Sequence, residues 1–246
     1  MFDTNHNIYS EILRAKVEKR KLLALLLDPD KVDLSTFESQ IATIRLSAVT
    51  HIFIGGSSMS NSQLDRIITH KKKNLSLPII LFPGDPSQIS DKADAILFLS
   101  LISGRNPDFL ITHQVAAISK LENSGLEIIS TGYLLIDGGK QTAVEIVSNT
   151  QPMDLSNTEL IVQTAQAGVL LGNKLIYLEA GSGANSFVPE TVVSNVASAI
   201  PVPLIIGGGI KSQQDIFKIY NAGADLIVIG TAFEDDNSFF DGLILQ

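Results

Sequence analysis

The sequence contains no cysteine and no long apolar run. Without cysteine the protein can form neither disulfides nor thiolate metal sites, a composition that fits a reducing compartment. No stretch of about 18 apolar residues is present, and no basic segment followed by an apolar core precedes Asp28, so we expect neither a membrane span nor a signal peptide. These absences predict a cytoplasmic protein.

Positive charge is also scarce: 18 Lys and Arg residues accompany 26 Asp and Glu residues, which gives a net charge of −8 at pH 7. A nucleic-acid surface needs clustered basic side chains, so the composition argues against nucleic acid as a partner. The one basic cluster, residues 70–73, closes a predicted helix, where cations complement the helix dipole. We interpret it as a solvated helix end.

Short apolar runs alternate with amphipathic segments along the 246 residues, of which 45% are hydrophobic. Eight of the runs are too short for buried helices and are typical of parallel strands. They are predicted at 22–27, 51–54, 78–82, 95–99, from 127 onward, 174–178, 204–206 and 226–229. This order predicts an α/β fold, a (β/α)₈ TIM-type barrel, with residues 1–246 forming a single domain.

The segments between these runs predict the helices. An amphipathic helix at about 7–19 carries Ile8, Ile12, Leu13 and Val17 at helical spacing and is expected to cover the bottom of the barrel. Further helices are predicted at 34–46, 62–72, 108–123, 156–171 with a Ser156–Glu159 capping box, 189–199, from Ser212 to about 221 with Phe217 on its apolar face, and 239–245. Two segments break the pattern. Residues 83–94, with two prolines and a glycine, should lack the third helix, and 141–153 have no clear periodicity.

Glycines end the last two strands, at 207–209 and at Gly230. Loops after strands seven and eight of such barrels commonly bind phosphate, because glycine lets backbone N–H groups approach an anion and a short helix start adds positive partial charge. We therefore predict a phosphate site at strands 7 and 8. The alternative is that Gly207 to Gly209 only allow a tight turn.

Asp28 and Ser57 end the first two strands and offer only hard oxygen ligands, which suit Mg²⁺. The alternative for Asp28 is a helix N-cap before Pro29. In strand order this metal position and the phosphate position lie at opposite ends, so we expect them to be separate sites.

Glu179 follows the sixth strand directly and precedes three small residues, so its carboxylate should face the pocket uncrowded, as a general base or charge stabiliser. Alternatively it pairs with Arg105. Tyr177 shares its strand face, and its hydroxyl either binds substrate or belongs to an ordinary core aromatic. The four histidines show no metal-binding spacing and receive no role.

Six short motifs, taken in order, resemble those of the geranylgeranylglyceryl phosphate synthases and their heptaprenyl relatives. They are Leu-Leu-Asp-Pro-Asp-Lys at 26–31, Ile-Gly-Gly-Ser at 54–57, Ser-Gly-Arg-Asn-Pro-Asp at 103–108, Thr-Gly-Tyr-Leu-Leu-Ile at 131–136, Tyr-Leu-Glu-Ala-Gly-Ser-Gly at 177–183 and Gly-Gly-Gly-Ile at 207–210. The resemblance spans the chain and implies a Mg²⁺-dependent prenyltransferase. Such an enzyme joins a polyprenyl diphosphate, here geranylgeranyl diphosphate, to the 3-hydroxyl of sn-glycerol 1-phosphate and releases diphosphate.

The resemblance also implies site residues. Asp28 and Ser57 fall on metal positions, and Glu179 falls near the attacking hydroxyl. The glycerol-phosphate positions are Tyr177, Leu178, Glu179, Ala180, Gly181, Ser182, Gly183, Gly207, Gly208, Gly230 and Thr231. Leu26 replaces a lysine of some members and indicates the second subgroup of the family, whereas Thr231 replaces an Asn or Asp found in many. The residues that line a prenyl groove are not predicted.

The resemblance and the surface exposed by a missing third helix together predict a homo-oligomer. A lipid substrate or product implies transient membrane contact. Two other functions remain open: a phosphate-binding isomerase or lyase of sugar-phosphate metabolism, with Asp28 and Asp137 as acid and base, and a non-catalytic sensor of a phosphorylated ligand. Asp137 precedes two glycines and is expected to be a turn residue instead.

Overall fold

A computed structural model describes residues 7–31, 37–56 and 61–245 of the chain. Eight parallel strands form a closed barrel in chain order. They are β1 Leu22–Leu27, β2 His51–Ile54, β3 Ile79–Leu81, β4 Ala95–Leu101, β5 Glu127–Leu135, β6 Leu175–Glu179, β7 Leu204–Gly207 and β8 Leu226–Ile229. The predicted barrel is confirmed, with every strand within a few residues of its expected position.

The described helices lie between and beyond these strands. They are α1 Ile8–Val17, α2 Phe37–Leu46, α3 Asn61–Asn74, α4 His113–Leu121, α5 Ala143–Ser148, α6 Thr158–Leu170, α7 Glu190–Ala199, α8 Gln213–Asn221 and α9 Thr231–Asp235, and a π-helical turn, Asp108–Thr112, precedes α4. None of these helices is long and apolar enough to cross a membrane.

Pairing of β1 with β8, in which Leu22 lies opposite Leu226, closes the barrel. The first and last strands of the chain are therefore neighbours in space. The expectation that Asp28 and the glycine turn at Gly230 form separate sites is wrong, because it treated the ends of the strand order as distant. Both residues follow adjacent strands and open onto one cavity.

Two apolar layers fill the protein because side chains alternate between the faces of each strand. Phe53, Leu97 and Tyr177 point into the barrel and belong to the inner layer. Ile52 and Leu178 point outward into the layer beneath the helices. Burial on both faces explains why the strands are continuous apolar runs rather than alternating ones.

Helix α1 closes the bottom of the barrel, as predicted. Its buried residues Ile8 and Ile12 join the inner layer. The Glu127 carboxylate, at the start of β5, accepts hydrogen bonds from the N–H groups of Ile8 at 2.8 Å and Tyr9 at 3.1 Å. Val17, expected on the apolar face, is 82% exposed because it lies at the end of the helix.

Between β3 and β4, residues 82–94 form no helix, as predicted. The buried side chains of Ile89 and Ala93 cover part of the outer layer in its place. The connection is held at its end by Asp94, whose carboxylate accepts the N–H of Ile79 at 2.8 Å and contacts Lys72 at 2.5 Å. The space that a third helix would fill stays partly open.

Several local features differ from the sequence analysis. Helix α5 occupies part of 141–153 and begins with a Thr142–Glu145 capping box, a short-range signal that a search for periodicity passes over. Helix α6 begins one residue after Asn157, which caps it in place of Ser156. No helix forms at 239–245; Phe240 stacks on Phe233 instead.

Two exposure expectations also fail. Phe217 is 45% exposed, although the predicted apolar face of α8 included it. The basic cluster at the end of α3 is only partly solvated, because Lys71 is fully buried and its pKa falls to about 7 through desolvation. Lys72 and Lys73 remain exposed.

Candidate active site

One cavity of about 730 Å³ lies at the carboxyl ends of the strands. Its polar part is lined by Asp28 and Lys31 after β1, Ser182 after β6, and Gly230, Thr231 and Glu234 after β8. Its other part extends over β3 and β4 toward α4 and α5. The closed barrel therefore brings the polar ends of β1, β6 and β8 together at one cavity.

Asp28 presents a carboxylate to the cavity with 25% of the side chain exposed. Oδ1 accepts the N–H of Asp30 at 3.1 Å, which fixes the turn at Pro29 and leaves Oδ2 outside that bond. A β-carbon on Gly56 would lie 2.5 Å from Oδ1, so glycine keeps the space beside the carboxylate clear. Asp28 thus stabilises its own turn and also faces the cavity.

These features fit a sparsely coordinated hard cation. No cluster of three or more His, Cys, Asp or Glu side chains suited to a metal occurs in the described ranges. A cation at Asp28 would therefore depend on one carboxylate, water and substrate oxygens, the pattern that Mg²⁺ prefers. Ser57, the other predicted ligand, lies outside the described residues.

Lys31 forms an ion pair with Glu234 of α9, with 2.7 Å between Nζ and Oε2. The same Nζ lies 3.9 Å from Oδ2 of Asp28. The hydrogen bond that Lys31 donates to the Glu234 carboxylate is the main reason that the pKa of Lys31 rises, so the side chain is held as an ammonium. The predicted site included neither Lys31 nor Glu234, although Lys31 stands in the first motif.

Glu179 is more enclosed than expected. Its side chain lies at the end of β6 on the inner face, only 6% of the residue is exposed, and it does not line the cavity. Oε1 accepts the N–H of Gly181 at 2.7 Å. Burial raises the pKa of the carboxyl from 4.5 to about 7, while the Tyr177 hydroxyl and the Gly181 N–H favour the charged form more weakly.

Arg105 does not pair with Glu179. Its guanidinium donates to the carbonyl of Ile102, its side chain is exposed, and its φ is 57° in the left-handed region. No ion pair joins the two residues in the described part of the chain. The alternative role for Glu179, a partner of Arg105, is therefore wrong.

An aromatic cluster lies beneath the cavity. The Tyr177 ring stacks on Phe82 with 5.4 Å between centroids and meets Tyr133 edge to face at 5.3 Å. The Tyr177 hydroxyl is buried and makes no hydrogen bond of acceptable geometry with another described residue. Tyr177 is thus a core aromatic whose hydroxyl lies close to the Glu179 carboxylate.

The turn after β7 is packed against the loop after β6. Gly208 has a φ of 80°, and a β-carbon there would meet Oε1 of Glu179 and lie 2.5 Å from the Gly181 nitrogen. A β-carbon on Gly207 would lie 2.6 Å from Oε2 of Glu179. The glycines are therefore required by the packing around Glu179, so the tight-turn interpretation accounts for part of the pattern.

The loops after β6 and β8 meet at the mouth of this region. The Ser182 and Thr231 hydroxyls lie 3.2 Å apart, and Gly230 precedes the first residue of α9. Gly181 and Gly183 have φ values of 99° and 66°, which favour glycine. Hydroxyls and glycine backbone thus converge here, as a phosphate site requires.

Two predicted binding residues differ from the rest. The side chains of Leu178 and Ala180 are fully buried in the outer layer and point away from the cavity. Successive side chains of a strand point to opposite faces, so Glu179 points inward while Leu178 and Ala180 point outward. Only the backbone of these two residues can contribute to the site. The Ala180 N–H donates to the carbonyl of Gly207 at 3.0 Å, which holds the loops after β6 and β7 together.

The residues that line the apolar part of the cavity are what sequence reasoning did not identify. It is lined by aromatic and aliphatic side chains from the β3–β4 connection, β4, the π-helical turn, α4 and α5. Among them are Phe82, Ile89, Phe98, Phe109, Ala117, Val144 and Val147. The one available signal was the absent third helix, which indicates open space but does not identify its walls.

Comparison with known proteins agrees with this geometry, since residues 15–244 match the PcrB family. The chain belongs to the PcrB family. It is 53% identical over 234 residues to a geranylgeranylglyceryl phosphate synthase of Flavobacterium johnsoniae, with 95% of this chain and 96% of that protein covered. A synthase of the same name from Zunongwangia profunda is 51% identical over 228 residues, covering 93% and 97%.

A solved structure shows the same architecture. The crystal structure of (S)-3-O-geranylgeranylglyceryl phosphate synthase from Thermoplasma acidophilum, in complex with sn-glycerol-1-phosphate, superposes with a TM-score of 0.88 at 30% identity, covering 95% of this chain and 94% of that one. The family resemblance inferred from the motifs is thereby confirmed.

Asp137 does not supply a second carboxylate to this PcrB-family site. It is exposed, its Oδ1 accepts the N–H of Gly139 at 2.8 Å, and it does not line the cavity. The expectation that it is a turn residue is confirmed. An isomerase or lyase that uses Asp28 and Asp137 as acid and base therefore has no support in this structure.

The glycine turn after β7 generates a stability prediction. We expect Gly208→Ala to lower the melting temperature much more than Gly125→Ala. Gly125 has a similar φ of 67° but nothing within 4 Å of a β-carbon. Gly125→Ala is the control, and it measures the cost of backbone strain alone, about 1–2 kcal/mol. Crowding of Glu179 and Gly181 should add about 1–3 kcal/mol. Equal melting temperatures for the two variants would contradict the packing role.

Glu179 generates a pH prediction. The unfolded chain loses this proton near pH 4.5, whereas the folded protein keeps it until about pH 7, so the folded form binds more protons in that interval. Stability therefore falls as the pH rises from about 4.5 to about 7. Across that whole pH interval the change in the free energy of unfolding is about 3 kcal/mol.

Glu179→Gln removes the charge and keeps an acceptor for the Gly181 N–H. Its melting temperature should exceed that of the wild type at about pH 8 and by much less at about pH 5. Thermal unfolding of both proteins at both pH values is the measurement. A difference that does not vary with pH would contradict the raised pKa.

Proposed function

We propose that this PcrB-family protein is a prenyltransferase that joins geranylgeranyl diphosphate to the 3-hydroxyl of sn-glycerol 1-phosphate, forming an ether and diphosphate. The cavity is the observation that carries the proposal. It connects a polar end with hydroxyls, glycine turns and a carboxylate to an apolar groove. A substrate with a charged head and a long apolar chain matches that division.

The glycerol phosphate would bind where the loops after β6, β7 and β8 meet. Backbone N–H groups at Gly183 and Gly230 and the hydroxyls of Ser182 and Thr231 would hold its phosphate. The complex of the Thermoplasma acidophilum enzyme with sn-glycerol-1-phosphate supports glycerol phosphate as the substrate. Tyr177 and Glu179 would lie on the side of the reacting hydroxyl.

The prenyl chain would occupy the groove in place of the third helix. Walls formed by Phe82, Phe98 and Phe109 exclude water from the allylic carbon. Exclusion matters because water would otherwise capture the carbocation that develops as the allylic C–O bond breaks. Burial of the apolar chain also stabilises the bound substrate.

Asp28 and Ser57 would hold Mg²⁺, which when bound neutralises charge on the diphosphate. In the reaction the allylic C–O bond breaks, and its electron pair leaves with the diphosphate. A bond then forms between the allylic carbon and the oxygen of the glycerol 3-hydroxyl. The hydroxyl proton passes to the Glu179 carboxylate, whose pKa of about 7 suits a base at neutral pH.

We also propose that the protein forms a homo-oligomer and contacts membranes transiently while exchanging its lipid. Ile111, Val115 and Ile118 form an exposed apolar stripe on the π-helical turn and α4. Lys120, which contacts the carbonyls of Pro86 and Ser87, lies on the opposite face of α4, so the stripe points away from the β3–β4 connection and toward solvent. Sedimentation without and with lipid vesicles tests both proposals.

The activity is tested by incubating the protein with labelled sn-glycerol 1-phosphate, Mg²⁺ and geranylgeranyl diphosphate. We expect a labelled product that extracts into butanol. Asp28→Asn, chelation of Mg²⁺, or replacement of the substrate by sn-glycerol 3-phosphate should each greatly reduce that product. Wild-type protein that forms no extractable product but binds sn-glycerol 1-phosphate would favour a non-catalytic sensor.

The role of Glu179 as base is tested by turnover. Glu179→Gln should lower kcat by roughly 10²-fold or more, the usual scale of general-base contributions, with a smaller change in KM for sn-glycerol 1-phosphate. Rates are compared per folded molecule, because the variant also changes stability. An unchanged kcat would leave Glu179 with a structural role only.

A further inference from the structure

The polar end of the cavity carries an excess of negative charge. Asp28 and Glu234 both line it, and Lys31 lies between them. Lys31 and His113 are the basic side chains among the described residues that line the cavity. The His113 ring packs edge to face on Phe109 in the apolar groove, with 4.6 Å between centroids. Lys31 is therefore the ammonium group at the polar end.

The hydrogen bonds of Lys31 leave it able to bind a ligand. An ammonium has three donors. One donates to Glu234 at 2.7 Å, and Asp28 at 3.9 Å is beyond hydrogen-bonding distance. Within the described ranges Nζ has no other hydrogen-bond partner. The side chain is 55% exposed, so its head can move toward the cavity without breaking a packed core.

We propose that Lys31 binds the diphosphate group of the prenyl substrate and stabilises the charge that this group gains when it leaves. The inference rests on the proposed function, and it adds a residue to which no role was assigned. Diphosphate that approaches Asp28 comes within reach of Nζ, because Lys31 lies one turn along the same loop. Glu234 holds the ammonium beside the cavity in the absence of substrate.

The chemistry requires such a group. Two phosphorylated substrates meet in one cavity, and breaking the allylic C–O bond transfers an electron pair to the diphosphate. A fixed ammonium at the leaving oxygens lowers the energy of that charged state. The competing explanation is an exposed ion pair between Lys31 and Glu234, which would contribute little to either stability or binding.

Calorimetric binding of magnesium pyrophosphate, the released product, separates these explanations. Lys31→Gln should weaken its binding by roughly 10- to 100-fold, the scale of one charge-assisted hydrogen bond. Lys31→Arg, which keeps the charge, should restore most of the affinity. Binding of sn-glycerol 1-phosphate should stay within about twofold in both variants, because the glycine turns hold that phosphate.

Lys218→Gln is the matched control. Lys218 forms a comparable exposed ion pair with Asp215, at 3.7 Å, on α8 and away from the cavity lining. It should leave both affinities unchanged. The affinity of the wild type for pyrophosphate should also fall more steeply with salt than that of Lys31→Gln, because one charge pair is lost.

Unchanged pyrophosphate binding by Lys31→Gln would overturn the inference. So would equal weakening of both ligands with a lowered melting temperature, or a wild type that does not bind magnesium pyrophosphate. The proposed function fails separately: Lys31-dependent pyrophosphate binding without any ether product would remove the prenyl transfer and keep the diphosphate site. Ether formation at an unchanged rate in Lys31→Gln would keep the prenyl transfer and remove the diphosphate role of Lys31.

Discussion

Pairing between the first and last strands is the constraint on which this structure depends. Once β1 hydrogen-bonds to β8, all eight carboxyl ends are held in one ring. Residues about 200 positions apart in the chain then become neighbours, as the contact between Lys31 and Glu234 shows. The candidate site is a product of this closure, since its polar walls come from the loops after β1, β6 and β8.

The absent third helix is the second determinant of the cavity. A complete ring of helices would cover the outer face at β3 and β4 and exclude a long ligand. Here residues 82–94 cover it only in part, and the remaining space becomes an apolar groove continuous with the polar end. The barrel tolerates the omission because Ile89 and Ala93 still bury part of the outer layer.

Glu179 shows how burial sets basicity against stability at one position. Burial of its carboxyl disfavours the charged form, which makes the group a stronger base and costs stability at high pH. Tightly packed glycines after β7 enclose it, and the N–H of Gly181 fixes one oxygen. A hydrophobic residue would be more stable at that position, so retaining a carboxylate there is more readily explained by function.

The amino-acid sequence by itself determined the strand order, the barrel class, the missing helix and the residue types at the strand ends. These features depend on local patterns, such as apolar runs, proline and glycine, which act over a few residues. The motifs also identified the family, because their order along the chain needs no coordinates. Local patterns did not predict how deeply individual side chains are buried. Lys71 and Glu179 are both more enclosed than their neighbours in sequence suggested.

Only the tertiary structure decided which of these residues meet. Separation of Asp28 from the glycine turn at Gly230, and pairing of Arg105 with Glu179, were both reasonable from strand order and charge, and both are wrong. The sequence predicted neither the residues that line the apolar groove nor the ion pair of Lys31 with Glu234. The physical reason is that closing a barrel joins distant segments through contacts that no local pattern encodes.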